Sequence, residues 1–391
     1  MNITALITEY NPFHNGHLYH LQQARALTGA DAVLVLMSGN FVQRGLPALV
    51  DKYRRTEMAL RAGADAVLEL PVAAATASAE GFAFGAVSLL HQLGAVTDLV
   101  YGCETADTKA IQDLAEFLLE EPPAFRQALK QALKQGCSFP AARWEAVRQL
   151  RPEAAPLLQD PNNILAVEYH KALTRLRSPI RPHALQRRGA GYHESATSIR
   201  RLLATGDAAG LAGLVPDFVP DLLPYTLDAD DFSQQLLCRL YTLEPEHLTR
   251  FADVTPELAA RIRRALSPDL TFRQLAARIK SPSHTLTRVQ RALLHILLGI
   301  EKGEPALPSA VRLLGLCRGS RALQAVRQRA ALPVAAKYAD FPPEVFALER
   351  RAANLYRLAL WYRRGILLPD EYHSGPVIIE TGRWTEGTAP T

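Results

Sequence analysis

A chain of 391 residues has material for two or three domains with cores of their own, and 48% hydrophobic against 21% charged residues make it globular rather than disordered. Its first apolar run is too short and too soon interrupted by polar residues for a membrane span, and no signal-peptide pattern opens it, so a cytoplasmic location is expected. The net charge of +5 hints at an anionic partner, while four scattered cysteines, Cys103, Cys137, Cys238 and Cys317, offer neither a disulfide framework nor a C-x-x-C zinc site and read as free thiols.

Ile3 to Ile7 reads as a strand, and Tyr10-Asn11-Pro12-Phe13-His14-Asn15-Gly16-His17 follows it, ahead of a helix-like segment from about Leu18. Pro12 disfavours helix for the residue before it, and Gly16 lets a ligand approach the backbone. The helix start offers unpaired N–H groups and a positive dipole end to an anion; His14 and His17, three apart, face the same way on one turn. Open α/β sheets place their ligands at such a strand-to-helix turn, so the pattern points to a phosphate pocket. It resembles the H-x-G-H signature of the nucleotidyltransferase superfamily, whose members attack the α-phosphate of a nucleoside triphosphate and release pyrophosphate. Two other readings stay open: ordinary surface histidines, and a metal held by His14, His17 and His20, although no carboxylate or cysteine joins them locally.

Further along, Ala32 to Met37 reads as a buried strand, and Met37-Ser38-Gly39-Asn40-Phe41-Val42-Gln43-Arg44-Gly45 as a ligand loop at the same sheet edge. Arg44 and Lys52 are candidate anion contacts, with Arg54 and Arg55 close behind. A helix over Thr56 to Ala62 precedes strands at Ala66 to Leu70 and Asp98 to Tyr101. Gly102, after the last of these, either lets a nucleoside lie on bare backbone or serves a simple turn. Asp160-Pro161-Asn162-Asn163-Ile164 is a helix start in which one asparagine caps and Asn162 is free to bind a nucleotide. Arg187 to His193 lead to Ser195-Ala196-Thr197-Ser198-Ile199-Arg200, which reads as a helix N-terminus for phosphates or as a capping-box variant. Strands alternating with helices predict a Rossmann-like α/β domain with a parallel sheet over residues 1–216.

From Asp217 the texture changes. Leu, Ala and Arg dominate, strand-like runs vanish, and Gln290 to Leu298 and Leu348 to Arg363 read as amphipathic helices. Pro216, Pro220 and Pro224 mark the junction, so residues 217–391 are expected to be a mostly α-helical C-terminal region, with one further strand near Pro376 to Ile379 and a tail over the last ten residues. Residues 1–100 hold 6 Lys and Arg against 8 Asp and Glu, whereas 271–330 hold 11 against 2. Such a basic segment is an electrostatic footprint for nucleic acid or a solvated helix face.

Together the motifs E-Y-N-P-F-H-N-G-H-x-x-H, M-S-G-N-F-x-Q-R-G, E-L-P, P-N-N-I-L, R-x-G-A-G-Y-H and S-A-T-S-I-R closely resemble the tRNA(Met) cytidine acetate ligases, and Thr285 to Arg288 and Arg291 to His295 extend the likeness over nearly the whole chain. The resemblance implies a two-step reaction. Acetate attacks the α-phosphate of ATP, giving acetyl-adenylate and pyrophosphate; the exocyclic amine of the wobble cytidine of elongator tRNA(Met) then takes the acetyl group, giving N4-acetylcytidine. It implies ATP contacts from Ile7, Thr8, Glu9, Tyr10, Asn11, Pro12, Phe13, His14, Asn15, Gly16, His17, Leu18, Tyr19 and His20, and from Gly102, Asn162 and Arg187. His14 and His17 are assigned to α-phosphate stabilisation, Ser195, Thr197 and Arg200 to the pyrophosphate end, with Mg²⁺ assisting and no metal site of the protein's own. Lys280, Arg288 and Arg291 are the candidate tRNA contacts, so His17→Ala is expected to abolish adenylation and joint loss of Arg288 and Arg291 to abolish tRNA binding, each sparing the other step. One departure is visible: Ser281-Pro282-Ser283-His284 stands where the family commonly reads K-R-Y ahead of Thr285. The rival readings are a small-molecule adenylyltransferase or pantothenate-synthetase-like ligase, which lack a long basic helical extension, and a non-catalytic RNA-binding protein, against which both histidines and Arg200 speak.

Overall fold

The computed structural model describes residues 1–187, 191–207, 209–303 and 309–380, with the backbone alone for 191–195 and 209. Ten strands are described: β1 (Ile3–Thr8), β2 (Ala32–Ser38), β3 (Phe41–Val42), β4 (Leu46–Pro47), β5 (Ala66–Leu70), β6 (Asp98–Cys103), β7 (Arg181–Gln186), β8 (Val311–Cys317), β9 (Val334–Ala335) and β10 (Val377–Ile379). The main sheet runs β10-β8-β5-β2-β1-β6-β7, with β9 beside β8 and β3-β4 a separate hairpin. From β1 the chain builds outward through β2 and β5, then crosses to β6 and β7 on the other side, all of these in parallel pairs. This reversal makes a topological switch point between β1 and β6, where the carboxyl ends of strands open a crevice.

Both faces of the sheet are buried, which explains the near-continuous apolar runs of its central strands. Leu6, Val33, Val35, Met37 and Val67 point to one core and Ile3, Ala5, Leu34, Leu36 and Leu68 to the other, the period-2 alternation of a strand. The first core continues without a break into the helices after residue 217, through Phe232, Leu236, Leu293, Ile296 and Tyr356.

The expected strands of the first half form in place, as do helices at Lys52–Arg61, Leu286–Leu298 and Ala347–Arg364. After Asp217 the one strand expected, near Pro376 to Ile379, forms as β10, but the reading of the rest of that region as helical needs correction, since β8 and β9 also form. β8 lies antiparallel along β5, and β9 and β10 pair with β8, so the sheet crosses the expected boundary at 216. Val-Arg-Leu-Leu-Gly-Leu-Cys lacks strand alternation, and its fit comes from close tertiary approach: a Cβ on Gly315 would meet Thr56 Cγ2 at 2.6 Å and the Val377 carbonyl at 2.7 Å. β7 also escapes the sequence reading, because Pro182 and a half-exposed face suit only an edge strand. The helix carrying Thr197 and Arg200 spans Gly191–Thr205, so the S-A-T-S-I-R run sits inside it and not at its first residue.

Candidate active site

A cavity of about 830 Å³ opens at the carboxyl ends of β1 and β6. Of the expected ATP contacts, Ile7, Thr8, Glu9, His14, Gly16, His17, Tyr19, His20, Gly102, Asn162 and Arg187 line it. The other members of the first motif support it. Tyr10 and Phe13 are fully buried, Leu18 nearly so, and Pro12 is buried in the turn. Asn11 accepts from the Leu49 amide at 2.8 Å, and Asn15 donates to the Gly213 carbonyl at 2.8 Å. Ser195 lies outside the residues whose side chains are described.

His14 caps the helix Asn15–Thr28: its Nδ1 accepts from the Gly16 amide at 3.0 Å. A backbone N–H can only donate, so Nδ1 carries no proton and the neutral ring holds its proton on Nε2. The His14 and His17 rings stack with centroids 3.7 Å apart and 23° between planes, and the edges of Tyr10 and Phe13 fix His17 from behind. Burial, with Arg187 and Arg200 nearby, lowers the His14 pKa to about 3. His17 is held well below its ordinary value by burial and by its histidine neighbours, and His20 falls to about 4 through burial, despite the Val100 carbonyl on its ring. At neutral pH the motif is a set of uncharged imidazoles, with His17 Nδ1 and His20 Nε2 buried and unpartnered among the described residues. The His14 Nε2–H is a donor suited to a developing negative charge at phosphate, whereas neutral His20 turns its proton to the Val100 carbonyl and offers only an acceptor at Nε2. Among the described residues no three His, Cys, Asp or Glu side chains converge as metal ligands.

The turn is held from beneath by Arg55, fully buried, which donates to the carbonyls of Val50 (3.1 Å), Glu9 (2.7 Å), Ser38 (3.0 Å) and Gly39. Arg200 donates to the Asn11 carbonyl at 3.0 Å and Thr197 Oγ1 at 3.2 Å, tying its helix to the same turn. Glu9 accepts from the Gln43 amide at 2.8 Å, and burial raises its pKa. Arg44 lines the cavity as expected, but Lys52 does not. Its Nζ is buried between Glu69 (2.8 Å) and Glu371 (3.0 Å), a structural cation joining the loop after β2 to the end of the chain. A Cβ on Gly39 would collide with Glu69, which explains the glycine.

At the β6 end, Arg187 follows β7 and its amide donates to the Cys103 carbonyl at 3.0 Å beside Gly102. The adjacent asparagines divide their work. Asn163 Oδ1 accepts the amides of Glu104 (3.0 Å) and Thr105 (3.1 Å), and Asn162 Nδ2 donates to Glu104 Oε1 at 2.6 Å while lining the cavity. Sequence reading, which took Gly102 as the candidate at this strand end, gave Glu104 no role.

The opposite wall is the helix Leu286–Leu298. Thr285, Thr287, Arg288 and Arg291 line the same cavity as the histidines, so two of the three candidate tRNA contacts stand in it. Arg291 is paired with Asp253 at 3.0 Å, and Lys280 is exposed outside the cavity. The Ser281–His284 departure folds on itself: the buried His284 Nδ1 lies 3.1 Å from Ser281 Oγ and 3.0 Å from Ser283 Oγ, and Thr285 then caps the helix. The basic run over 271–330 is not one patch, since Arg312 is buried and donates to the carbonyls of Ala336 and Ser374.

Residues 1–364 match the model of the HIGH nucleotidyl transferase family. The chain is 38% identical over 385 residues to the tRNA(Met) cytidine acetate ligase of Thermoanaerobacter sp. (strain X514), covering 92% of this chain and 96% of that protein. It is 36% identical over 403 residues to the tRNA(Met) cytidine acetate ligase of Clostridium perfringens (strain SM101 / Type A), covering 97% and 100%. The crystal structure of Thermotoga maritima TmcAL bound with alpha-thio ATP superposes with a TM-score of 0.89 at 31% identity, covering 97% of this chain and 100% of that one.

Proposed function

The chain belongs to the tRNA(Met) cytidine acetate ligase family, within the HIGH nucleotidyl transferases, and from that premise we propose that it is an ATP-dependent ligase that acetylates the N4 amine of the wobble cytidine of elongator tRNA(Met). The observation that carries the reading is the stacked, neutral His14–His17 pair at the β1 turn, in a cavity it shares with Gly102, Asn162 and Arg187.

Acetate is already a nucleophile at neutral pH, so the protein has to align it with ATP and stabilise charge on the α-phosphate. His14 Nε2–H, aimed by the Gly16 amide on Nδ1, donates to that phosphate, and His17 stacks beside it as the second donor. Ser195, Thr197 and Arg200 hold the pyrophosphate end, Arg200 reaching the His14 turn through the Asn11 carbonyl. Mg²⁺ accompanying ATP would assist by neutralising charge on its phosphates. The acetyl carbon of acetyl-adenylate is then attacked by the cytidine amine; the C–N bond forms, the C–O bond to AMP breaks, and the nitrogen releases one proton.

In this reading residues 1–216 activate acetate and residues 217–391 supply the tRNA contacts, Lys280, Arg288 and Arg291 among them. On the same reading the protein works on tRNA in the cytoplasm; among the described residues no helix is long and apolar enough to cross a membrane. ATP–pyrophosphate exchange with purified protein decides the matter. Exchange that requires acetate, with labelled acetate then entering one tRNA as acetylcytidine, is the expected result. Exchange supported by a phosphorylated metabolite and not by acetate would instead make the protein a small-molecule adenylyltransferase.

A further inference from the structure

We propose that Glu104 is a positioning residue that locks the Asn162 carboxamide with its oxygen toward the cavity, so that this wall accepts a hydrogen bond from a donor on the nucleoside of ATP: the 6-amino group of adenine or a ribose hydroxyl. The inference rests on the ATP reading of the site and on nothing that happens after ATP binds.

The two ends of an asparagine amide have the same shape, and only the partners decide which end points where. Here Asn162 Nδ2 meets Glu104 Oε1 at 2.6 Å. A carboxylate only accepts, so the nitrogen must be the end that faces it. Asn162 lines the cavity and Glu104 does not, which turns the amide oxygen to the cavity side. Glu104 is itself held on every side. Its Oε2 accepts the Asn163 amide at 3.2 Å, its own amide donates to Asn163 Oδ1 at 3.0 Å, and its carbonyl accepts from Gln186 Nε2 at 2.6 Å. Three elements that meet at the switch point, the ends of β6 and β7 and the first turn of the helix Pro161–Arg175, thus converge to fix one carboxylate. Its Oε1 meets Asn162 Nδ2, which belongs to a cavity-lining group. A wall that offers an acceptor discriminates against a nucleoside that lacks the matching donor, because the buried acceptor is left unpaired.

The test is equilibrium binding of α,β-methylene-ATP to the full-length protein, without acetate or RNA, alongside its inosine, 2′-deoxy and 3′-deoxy counterparts. Wild type is expected to bind one of the three at least about 10-fold more weakly than the parent, and that analogue identifies the donor. In Glu104→Gln the neighbour can accept or donate, so the Asn162 amide is free to turn. The parent's affinity should fall while the penalty on that analogue shrinks to about 2-fold or less. Asn162→Ala should remove the same penalty with Glu104 in place. Glu104→Gln weakening all four ligands by one common factor would overturn the proposal, as would Asn162→Ala retaining the discrimination or wild type binding all three analogues as well as the parent. Failure of wild type to bind the parent at all would instead count against the ATP reading itself.

Discussion

His14 performs two tasks with its two ring nitrogens, and the pair can be separated by substitution. Nδ1 caps a helix, a job asparagine does as well, while the Nε2 donor has no counterpart in asparagine. His14→Asn is therefore expected to keep its melting temperature and to lose about 10²- to 10³-fold in acetate-dependent pyrophosphate exchange, the usual effect of removing one donor to a developing anion. The lowered histidine pKa values also set a stability profile. Each imidazole is uncharged in the fold down to about pH 3 for His14 and about pH 4 for His20, but takes up a proton near 6.5 when unfolded. The unfolded chain binds more protons in that window, so stability is fully present above about 6.5 and falls as pH drops toward 4. His20→Gln removes one such contribution. Urea unfolding at pH 7 and 4.5 should show the variant losing about 2 kcal/mol less than wild type between the two, at roughly 1.4 kcal/mol per pH unit.

Among the elements, the helix Ala347–Arg364 shows how far sequence reading reached and where it stopped. Its apolar spacing placed it to within a residue at each end, as a short apolar run placed β5, because both signals are local. Which neighbour each element would meet is not local: Glu349 looks like a surface residue of an amphipathic helix, yet it is buried beside Glu69 and accepts from the Val72 amide at 3.3 Å. The same blindness hid β8, whose glycine is explained only by Thr56 and Val377 lying against it, and Lys52, whose partner Glu371 lies at the far end of the chain. At the site, His14, His17 and Gly102 were legible because motif and strand end coincide, whereas Glu104 and Arg55 act through carbonyls and amides that no spacing reveals. Glu349 also yields a prediction. Burial, then the charge of Glu69, raises its pKa to about 7 from an ordinary 4.5, so the fold holds a proton there that the unfolded chain releases. That contribution is complete below pH 4.5 and is lost as pH rises through 7. Glu349→Gln keeps the acceptor for Val72 without the charge, and should be about 2 kcal/mol more stable than wild type at pH 8 but near wild type at pH 5. Denaturant melts at the two values check both the size and the sign.

At the scale of the molecule, the helical half is a wall of the active cavity as well as a candidate RNA surface. Gly45, at the tip of the loop after β2, has φ +72° and packs so closely on the backbone of Gln290 and Arg291 that a Cβ has no room. The helix Leu286–Leu298 is thereby seated against the nucleotide loop, and its Arg288 and Arg291 share space with the histidines. This alters the expectation drawn from sequence, in which loss of these arginines spares adenylation. If the cavity holds the ATP phosphates as proposed, two cationic side chains on its wall would act on ATP as well as on an incoming RNA strand, whereas Lys280, exposed outside the cavity, would meet the RNA alone. Arg288→Ala should lower acetate-dependent exchange and tRNA acetylation together. Lys280→Ala should leave exchange at the wild-type rate and weaken tRNA binding alone, reducing the log-log salt slope by about 0.7 to 0.9 for the one phosphate it no longer neutralises. Exchange assays at saturating acetate, paired with tRNA binding from about 50 to about 200 mM salt, separate the two classes. If Arg288→Ala kept full exchange, the helix would be an RNA element that merely borders the cavity, and the two halves would divide the reaction as the sequence alone suggests.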